Sequence, residues 1–132
     1  MTTVLFACVH NAGRSQIAAA VFNRHADPGK ARAISAGTQP ADRVHPEVIA
    51  VMHDLGIDLS RHRPRKLTDS LAAQAQWLIT MGCGDSCPVV PGATRDDWPI
   101  TDPKGQSASA VGVIVHDLDR RVRALIDAHG WR

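Results

Sequence analysis

Short apolar segments alternate with longer amphipathic segments along this 132-residue sequence, and the alternation restricts the fold more than any other feature. The apolar segments have the length of buried strands, and the amphipathic segments have the periodicity of helices. Strands that alternate with helices favour a parallel sheet with right-handed crossovers and helices on its faces. We therefore predict a three-layer α/β fold, with helices on both faces of a four-stranded parallel sheet.

The strands of this sheet are predicted at TVLFAC, ARAISAG, QWLITM and TRDDWPI, which are residues 3–8, 31–37, 76–81 and 94–100. Helices are predicted at residues 14–26, 45–56 and 107–128, and a short helix is predicted within residues 65–75. The second helix is expected to bury an apolar face formed by Val48, Val51, Met52 and Leu55. Thr68 or Asp69 is the expected cap of the third helix.

Length and composition indicate one domain over residues 1–132 with an ordinary globular balance, at 44% hydrophobic and 21% charged residues. The net charge of +2 is small and aromatic residues are scarce, so neither feature favours a nucleic-acid partner. The sequence contains no apolar stretch of membrane-spanning length and no secretory leader pattern. We therefore expect a cytoplasmic protein with no membrane partner.

The chain has three cysteines, which are Cys8, Cys83 and Cys87. An odd number cannot be paired completely in structural disulfides. In a reducing cytosol, cysteines with a function are usually catalytic, redox-active or bound to metal. The alternative is that each is a small buried apolar residue, which is a common role for cysteine.

The stretch CVHNAGRS, residues 8–15, joins the first predicted strand to the first predicted helix. A loop of this length can turn its backbone N–H groups towards a tetrahedral oxyanion, and the helix N-terminus adds positive potential. Asn11 and Gly13 are residue types that tolerate the left-handed conformation such a loop needs. The predicted oxyanion-binding residues are Val9, His10, Asn11, Ala12, Gly13 and Arg14.

Chemical roles follow from the residue types in this stretch. Arg14 can present two parallel donors to the anion. The positive field favours the thiolate of Cys8, which is its nucleophilic form, and Ser15 can donate a hydrogen bond to that sulfur. Asp102 follows the fourth strand and is expected at the same edge of the sheet, although an aspartate before Pro103 is also common in solvated turns.

The motifs resemble those of the low-molecular-weight protein tyrosine phosphatase fold. The resemblance rests on C-x5-R-S after the first strand, SAGT at 35–38, LGIDLSRHRPRKL at 55–67 and DP at 102–103. It implies the predicted sheet, nucleophilic attack by Cys8 on a bound oxyanion, and acid catalysis by Asp102. It does not decide between hydrolysis and reduction, because one fold supports both.

The segment MGCGDSCPVVPG, residues 81–92, resembles the redox segment of the arsenate reductases built on this fold. That resemblance implies that Cys8 attacks arsenate, that Cys83 then attacks Cys8, and that Cys87 moves the disulfide to a pair accessible to a thioredoxin-type donor. Thioredoxin, glutaredoxin and a mycoredoxin with a low-molecular-weight thiol all remain possible donors. The spacing between Cys83 and Cys87 is shorter than in better-known thioredoxin-coupled members.

Two other interpretations remain open. A tyrosine phosphatase would need Cys8 alone, although members of that class usually carry tyrosines after the DP, and this chain has no tyrosine. A metal-binding or arsenite-sensing module would use Cys83 and Cys87 with a histidine such as His10 or His116. We expect no cofactor. Some members of the family that this sequence resembles bind potassium through a carboxylate on the first helix; the matching position here is Ala19, so the resemblance implies no potassium site.

Overall fold

The structure, a computed structural model, describes residues 1–82 and 90–132. The strands in this part of the chain are β1 (Thr2–Cys8), β2 (Ala31–Gly37), β3 (Trp77–Thr80) and β4 (Thr94–Asp97). They form one parallel sheet in the order β2-β1-β3-β4. The helices are α1 (Arg14–His25), α2 (Pro46–Asp54), α3 (Asp69–Ala72) and α4 (Ala108–His129). The predicted α/β fold with a four-stranded parallel sheet is confirmed.

The two faces of the sheet carry different hydrophobic clusters, because successive side chains of a strand point to opposite faces. Val4 and Phe6 of β1 belong to the larger cluster, which includes buried residues of α1, α2 and α4. Leu5 and Ala7 belong to the smaller cluster, which includes Ala72 of α3. Helices therefore cover both faces, as the three-layer prediction requires.

Strand β1 lies between β2 and β3 and is buried from Thr3 to Cys8. A parallel strand covered on both faces has no solvent-facing side, which explains its continuous apolar sequence. Its last residue, Cys8, pairs in register with Gly37, the last residue of β2. The switch in strand order beside β1 is where open parallel sheets bind ligands, beyond the carboxyl ends of the strands.

The predicted apolar face of α2 is correct at Val48 and Met52, which are fully buried, but wrong at Leu55, which is 50% exposed. The helix ends at Asp54, so Leu55 is the C-cap and no longer follows the helical period. Gly56 then has φ of +83°, and Ile57 after it is partly buried against the core. The prediction for Leu55 was therefore wrong because the helix ends before this residue.

The last predicted strand is shorter than expected, because β4 ends at Asp97 and Pro99 follows two residues later. All four residues of β4 are exposed at the edge of the sheet, whereas Trp98 and Ile100 beyond it are buried.

The cap of α3 is Thr68, whose hydroxyl accepts a hydrogen bond from the backbone N–H of Leu71. No helix in the described ranges is long and apolar enough to cross a membrane.

Candidate active site

The loop between β1 and α1 forms the centre of the candidate site. Cys8 is 2% exposed at the end of β1, and α1 begins at Arg14. Asn11 has a left-handed φ of 49°, as its residue type predicted, whereas the same expectation is wrong at Gly13, which has φ of −145°. The N-cap of α1 is Gly13 and makes no side-chain cap, so no side chain there competes with an anion for the first N–H groups.

Backbone hydrogen bonds hold the loop from outside. Four of its carbonyl oxygens accept hydrogen bonds from residues 38–45: Cys8 from Thr38, Val9 from Gln39, His10 from Ala41, and Ala12 from His45. These distances range from 2.8 to 3.2 Å. Because the carbonyls are engaged by the neighbouring segment, the N–H groups of the loop can serve an anion on the opposite side.

Gly37 explains why the SAGT motif belongs to this site. A Cβ at Gly37 would lie 2.6 Å from the carbonyl oxygen of Val9 and 2.9 Å from the backbone nitrogen of Asn11. The backbone of β2 therefore approaches the loop too closely for any side chain. The motif supplies both this contact and the N–H groups that follow it.

A chain of hydrogen bonds ends at the Cys8 sulfur. The amide Nδ2 of Asn11 donates to Ser15 Oγ at 2.7 Å, and Ser15 Oγ lies 2.9 Å from Cys8 Sγ. Because the Ser15 oxygen accepts from Asn11, its hydrogen is available to the sulfur. The backbone N–H of Arg65 donates to Asn11 Oδ1 at 3.0 Å, which fixes the orientation of the Asn11 amide.

Gln16 is part of this network and was missed by the sequence analysis. Its side chain is 4% exposed, and Nε2 lies 3.1 Å from both Asn11 O and Asn11 Oδ1 and 3.3 Å from Arg63 O. It therefore links the loop to the segment around Arg63. A polar amide at the start of an otherwise apolar helix was the available signal.

Arg14 extends across the mouth of the loop. Its Nη1 donates to the carbonyl oxygen of Ile100 at 3.3 Å, and its Nη2 lies 3.8 Å from Asp102 Oδ2. On the other side it rests against Gly82, where a Cβ would come within 2.3 Å of Nη1. Arg14 is thus held in a narrow space beside the predicted general acid.

Asp102 stands on the rim with its side chain 43% exposed. Its Oδ1 accepts a hydrogen bond from the backbone N–H of Lys104 at 3.0 Å. The next residue, Pro103, packs on the oxyanion loop so closely that a Cβ at Gly13 would lie 2.6 Å from its Cγ. The structure therefore brings Asp102 to the same edge of the sheet as Cys8, Arg14 and Ser15.

Two histidines stand near this rim. His10 Nδ1 lies 3.0 Å from the carbonyl oxygen of Gln39, so this nitrogen carries the proton that is donated. Partial burial lowers the pKa of His45 below its ordinary value, and the carboxylates of Glu47 and Asp102 oppose that shift. Neither histidine was assigned a catalytic role from the sequence.

Cys83 and Cys87 lie outside the described residues. The described chain before them ends at Gly82, beside Arg14, and Met81 donates its backbone N–H to Ala7 O at 2.8 Å. Among the described side chains, no three His, Cys, Asp or Glu residues are grouped to share a metal ion.

These features define a class of α/β protein in which a buried cysteine ends a parallel strand and a short loop leads to a helix that begins with an arginine. Residues 3–129 match the low molecular weight phosphotyrosine protein phosphatase family, and the chain belongs to that family. The resemblance stated from the motifs is thereby confirmed.

Three similar proteins are arsenate reductases. The thioredoxin-dependent arsenate reductase Cg_ArsC1' of Corynebacterium glutamicum superposes with a TM-score of 0.83 at 38% identity over 97% of this chain. This chain spans only 61% of that protein's solved chain. An arsenate reductase in the phosphate-binding state has a TM-score of 0.82 at 32% identity, covering 97% of this chain and 98% of the other. The glutaredoxin arsenate reductase of Synechocystis sp. is 33% identical over 129 residues, covering 96% and 97% of the two chains.

Proposed function

We propose that this protein is an arsenate reductase that uses Cys8, Cys83 and Cys87. The observation that carries the first step is the 2.9 Å contact between Cys8 Sγ and Ser15 Oγ, in which the Ser15 hydroxyl can donate to the sulfur while its oxygen accepts from Asn11. A sulfur that receives such a hydrogen bond at a helix N-terminus is suited to be a thiolate nucleophile. The similar arsenate reductases support arsenate as the oxyanion.

In the first step, the Cys8 thiolate attacks the arsenic atom and an S–As bond forms. One hydroxyl group of the arsenate accepts the proton of Asp102, and its oxygen departs as water when the bond to arsenic breaks. Arg14 and the loop N–H groups hold the remaining oxygens, where they stabilise the negative charge of the transition state. The product of this step is a covalent adduct of Cys8 with arsenic in oxidation state five.

In the second step, the thiolate of Cys83 attacks Cys8 Sγ. The S–S bond forms as the S–As bond breaks, and the electron pair of the broken bond stays on arsenic, which leaves as arsenite. The Cys87 thiolate then attacks Cys83, so that Cys8 is released as a thiolate and a Cys83–Cys87 disulfide remains. An external dithiol protein of the thioredoxin or glutaredoxin type supplies two electrons to reduce that disulfide.

The cytoplasm is the compartment that suits this cycle, because it keeps thiols reduced. A donor protein must reach the Cys83–Cys87 disulfide once per turnover. The names of two similar proteins, one thioredoxin-dependent and one described as a glutaredoxin arsenate reductase, support either donor class.

A phosphatase is the second candidate. Hydrolysis would use Cys8, Arg14 and Asp102, and two observations support it: Arg14 Nη2 lies 3.8 Å from Asp102 Oδ2, and the family match is to phosphatases. Hydrolysis uses only one cysteine and leaves it unchanged, so it gives no role to Cys83 and Cys87. The two candidates therefore differ in what the second and third cysteines do.

The deciding experiment is an assay of the purified protein with arsenate and separate thioredoxin and glutaredoxin systems, beside hydrolysis of p-nitrophenyl phosphate. Cys83→Ser should stop arsenite release, whereas any hydrolysis of p-nitrophenyl phosphate persists. Cys87→Ser should complete one turnover and accumulate a Cys8–Cys83 disulfide, detected by mass mapping of non-reduced peptides. If Cys87 attacks Cys8 directly, the two phenotypes exchange. Multiple turnovers by the double variant with either donor would contradict the internal relay.

A further inference from the structure

Glu47 makes a long-range contact with the segment that carries Asp102. It is the only glutamate among the 13 acidic residues of the chain, and it lies in the first turn of α2. Its Oε1 accepts a hydrogen bond from the backbone N–H of Gly105 at 3.2 Å, across 58 residues of sequence.

Gly105, the residue that Glu47 contacts, lies in a tight turn at 103–106, directly after Asp102. The backbone N–H of Gln106 donates to Pro103 O at 3.1 Å, and Gly105 has φ of +72° at the third position of that turn. This is the geometry of a turn that requires glycine at its third residue. The bond that closes the turn uses the N–H of Gln106, so the N–H of Gly105 is available to Glu47.

The carboxylate of Asp102 is part of the same turn. Its Oδ1 accepts the N–H of Lys104, and its Oδ2 faces Arg14 Nη2 at 3.8 Å. One oxygen is therefore held by the turn while the other is directed to the arginine. A shift of the turn would change the distance between the acid and the bound anion.

Pro103 and Glu47 hold this turn between two elements. Pro103 packs on Gly13 of the oxyanion loop, and Glu47 attaches Gly105 to α2. We propose that Glu47 is a positioning residue that holds the 103–106 turn and so sets the place of Asp102 relative to Arg14. The inference rests on the proposed function, in which Asp102 donates a proton to the departing oxygen.

Three substitutions separate the reach of Glu47 from its charge. Glu47→Gln keeps the length and the acceptor oxygen, Glu47→Asp keeps the charge but is one methylene shorter, and Glu47→Ala removes both. In single-turnover arsenate reduction, we expect Gln to behave like the parent. The Glu47→Asp and Glu47→Ala variants should lower the rate about ten- to a hundredfold, because a misplacement of a catalytic group by ~1 Å can cost on the order of 10²-fold in rate.

The partner variant Asp102→Asn distinguishes positioning from a general structural effect. If Glu47 acts through Asp102, Glu47→Ala should add almost nothing to the loss already caused by Asp102→Asn. The binding constant of inorganic phosphate, measured by calorimetry, should stay near the parental value in all three Glu47 variants. Asp54→Ala, at the other end of α2 with its side chain 85% exposed, is the matched control and should leave the rate unchanged.

Amide hydrogen exchange of Gly105, followed by NMR, tests the contact without any turnover. It should accelerate in Glu47→Ala and Glu47→Asp and remain slow in Glu47→Gln. If Glu47→Asp keeps the activity and Glu47→Gln loses it, Glu47 acts through its charge and the positioning role is wrong. Losses that add to the loss in Asp102→Asn would also overturn the proposal. If the parent reduces no arsenate, the proposed function fails, while Gly105 exchange and the same cycle on p-nitrophenyl phosphate still decide the role of Glu47.

Discussion

Cys8 Sγ and Ser15 Oγ lie 2.9 Å apart and are buried together, one at the end of a strand and the other in the first turn of the helix that follows. The six residues between them in sequence form the predicted oxyanion-binding loop. The proposed nucleophile and the hydroxyl proposed to stabilise it are therefore on the two elements that flank the loop. A substitution at Ser15 is therefore expected to change the reactivity of the Cys8 sulfur.

Ser15→Ala should slow the reaction of Cys8 with iodoacetamide at neutral pH about tenfold or more, because a hydrogen bond to a charged group is worth ~1.5–3 kcal/mol. Peptide mass mapping would follow Cys8 separately from the other two cysteines. Ser35→Ala, at another buried serine in the adjacent strand, is the control and should react as the parent does. An unchanged alkylation rate in Ser15→Ala would remove the serine from the activation of Cys8.

Cys8→Ser should abolish both arsenate reduction and hydrolysis of p-nitrophenyl phosphate. A serine hydroxyl in this loop stays protonated, whereas the thiol can ionise. The fold should survive so small a change, which far-UV circular dichroism and a thermal melt would check. Arsenate reduction by this variant would show that Cys8 is not the nucleophile.

Arg14→Lys should fail although it keeps the positive charge. An ammonium group cannot present two parallel donors to the anion. The rate constant kcat should fall roughly 10²- to 10³-fold, as is typical when a donor to a developing oxyanion is lost. Steady-state kinetics and phosphate calorimetry would measure the loss, and near-normal turnover would mean that the loop amides bind the anion without the arginine.

Gly82→Ala tests the close approach of Arg14 to the backbone. Gly82 has φ of +83° and Gly92 has φ of +82°, so alanine at either position should cost about 1–2 kcal/mol of stability. A Cβ at Gly82 would lie 2.3 Å from Arg14 Nη1, whereas nothing lies within 4 Å of one at Gly92. Phosphate binding should weaken in Gly82→Ala only; equal weakening in both variants would point to backbone strain alone.

His45 should make the stability of the protein depend on pH. Burial lowers its pKa from the ordinary value of 6.5, so below that value the unfolded chain binds more protons at this residue than the folded chain does. Stability from this residue is therefore lost as the pH falls from 6.5 through the lowered pKa. Urea unfolding at about pH 7.5 and about pH 5.5 should show a larger loss for the parent than for His45→Gln, and equal losses would contradict the assignment.

The sequence was sufficient where local patterns decide the structure. The second strand has the predicted bounds, 31–37, and the loop from Cys8 to Arg14 joins a strand to a helix as expected. A continuous apolar run is typical of a parallel strand buried on both faces. A loop of small residues before a helix is typical of an anion-binding helix N-terminus. These signals need no knowledge of the rest of the fold.

The contacts missed from the sequence join segments that are distant along the chain. Gln16 reaches Arg63, and Glu47 reaches Gly105, through side chains whose residue types are common on helix surfaces. Leu55 was predicted to be buried but is exposed, because α2 ends at Asp54 and Leu55 no longer lies on the apolar face of the helix. Such details depend on how the elements meet, which periodicity does not encode.

The exposed edge strand β4 bears on how copies of this protein behave when they meet. An edge strand presents unpaired N–H and C=O groups that can recruit a strand from another molecule. Here the edge carries Arg95, Asp96 and Asp97, and Pro99 follows shortly after. Charged side chains and a nearby proline oppose intermolecular strand addition, so aggregation through this edge is disfavoured while the apolar strands beside it stay paired within the sheet.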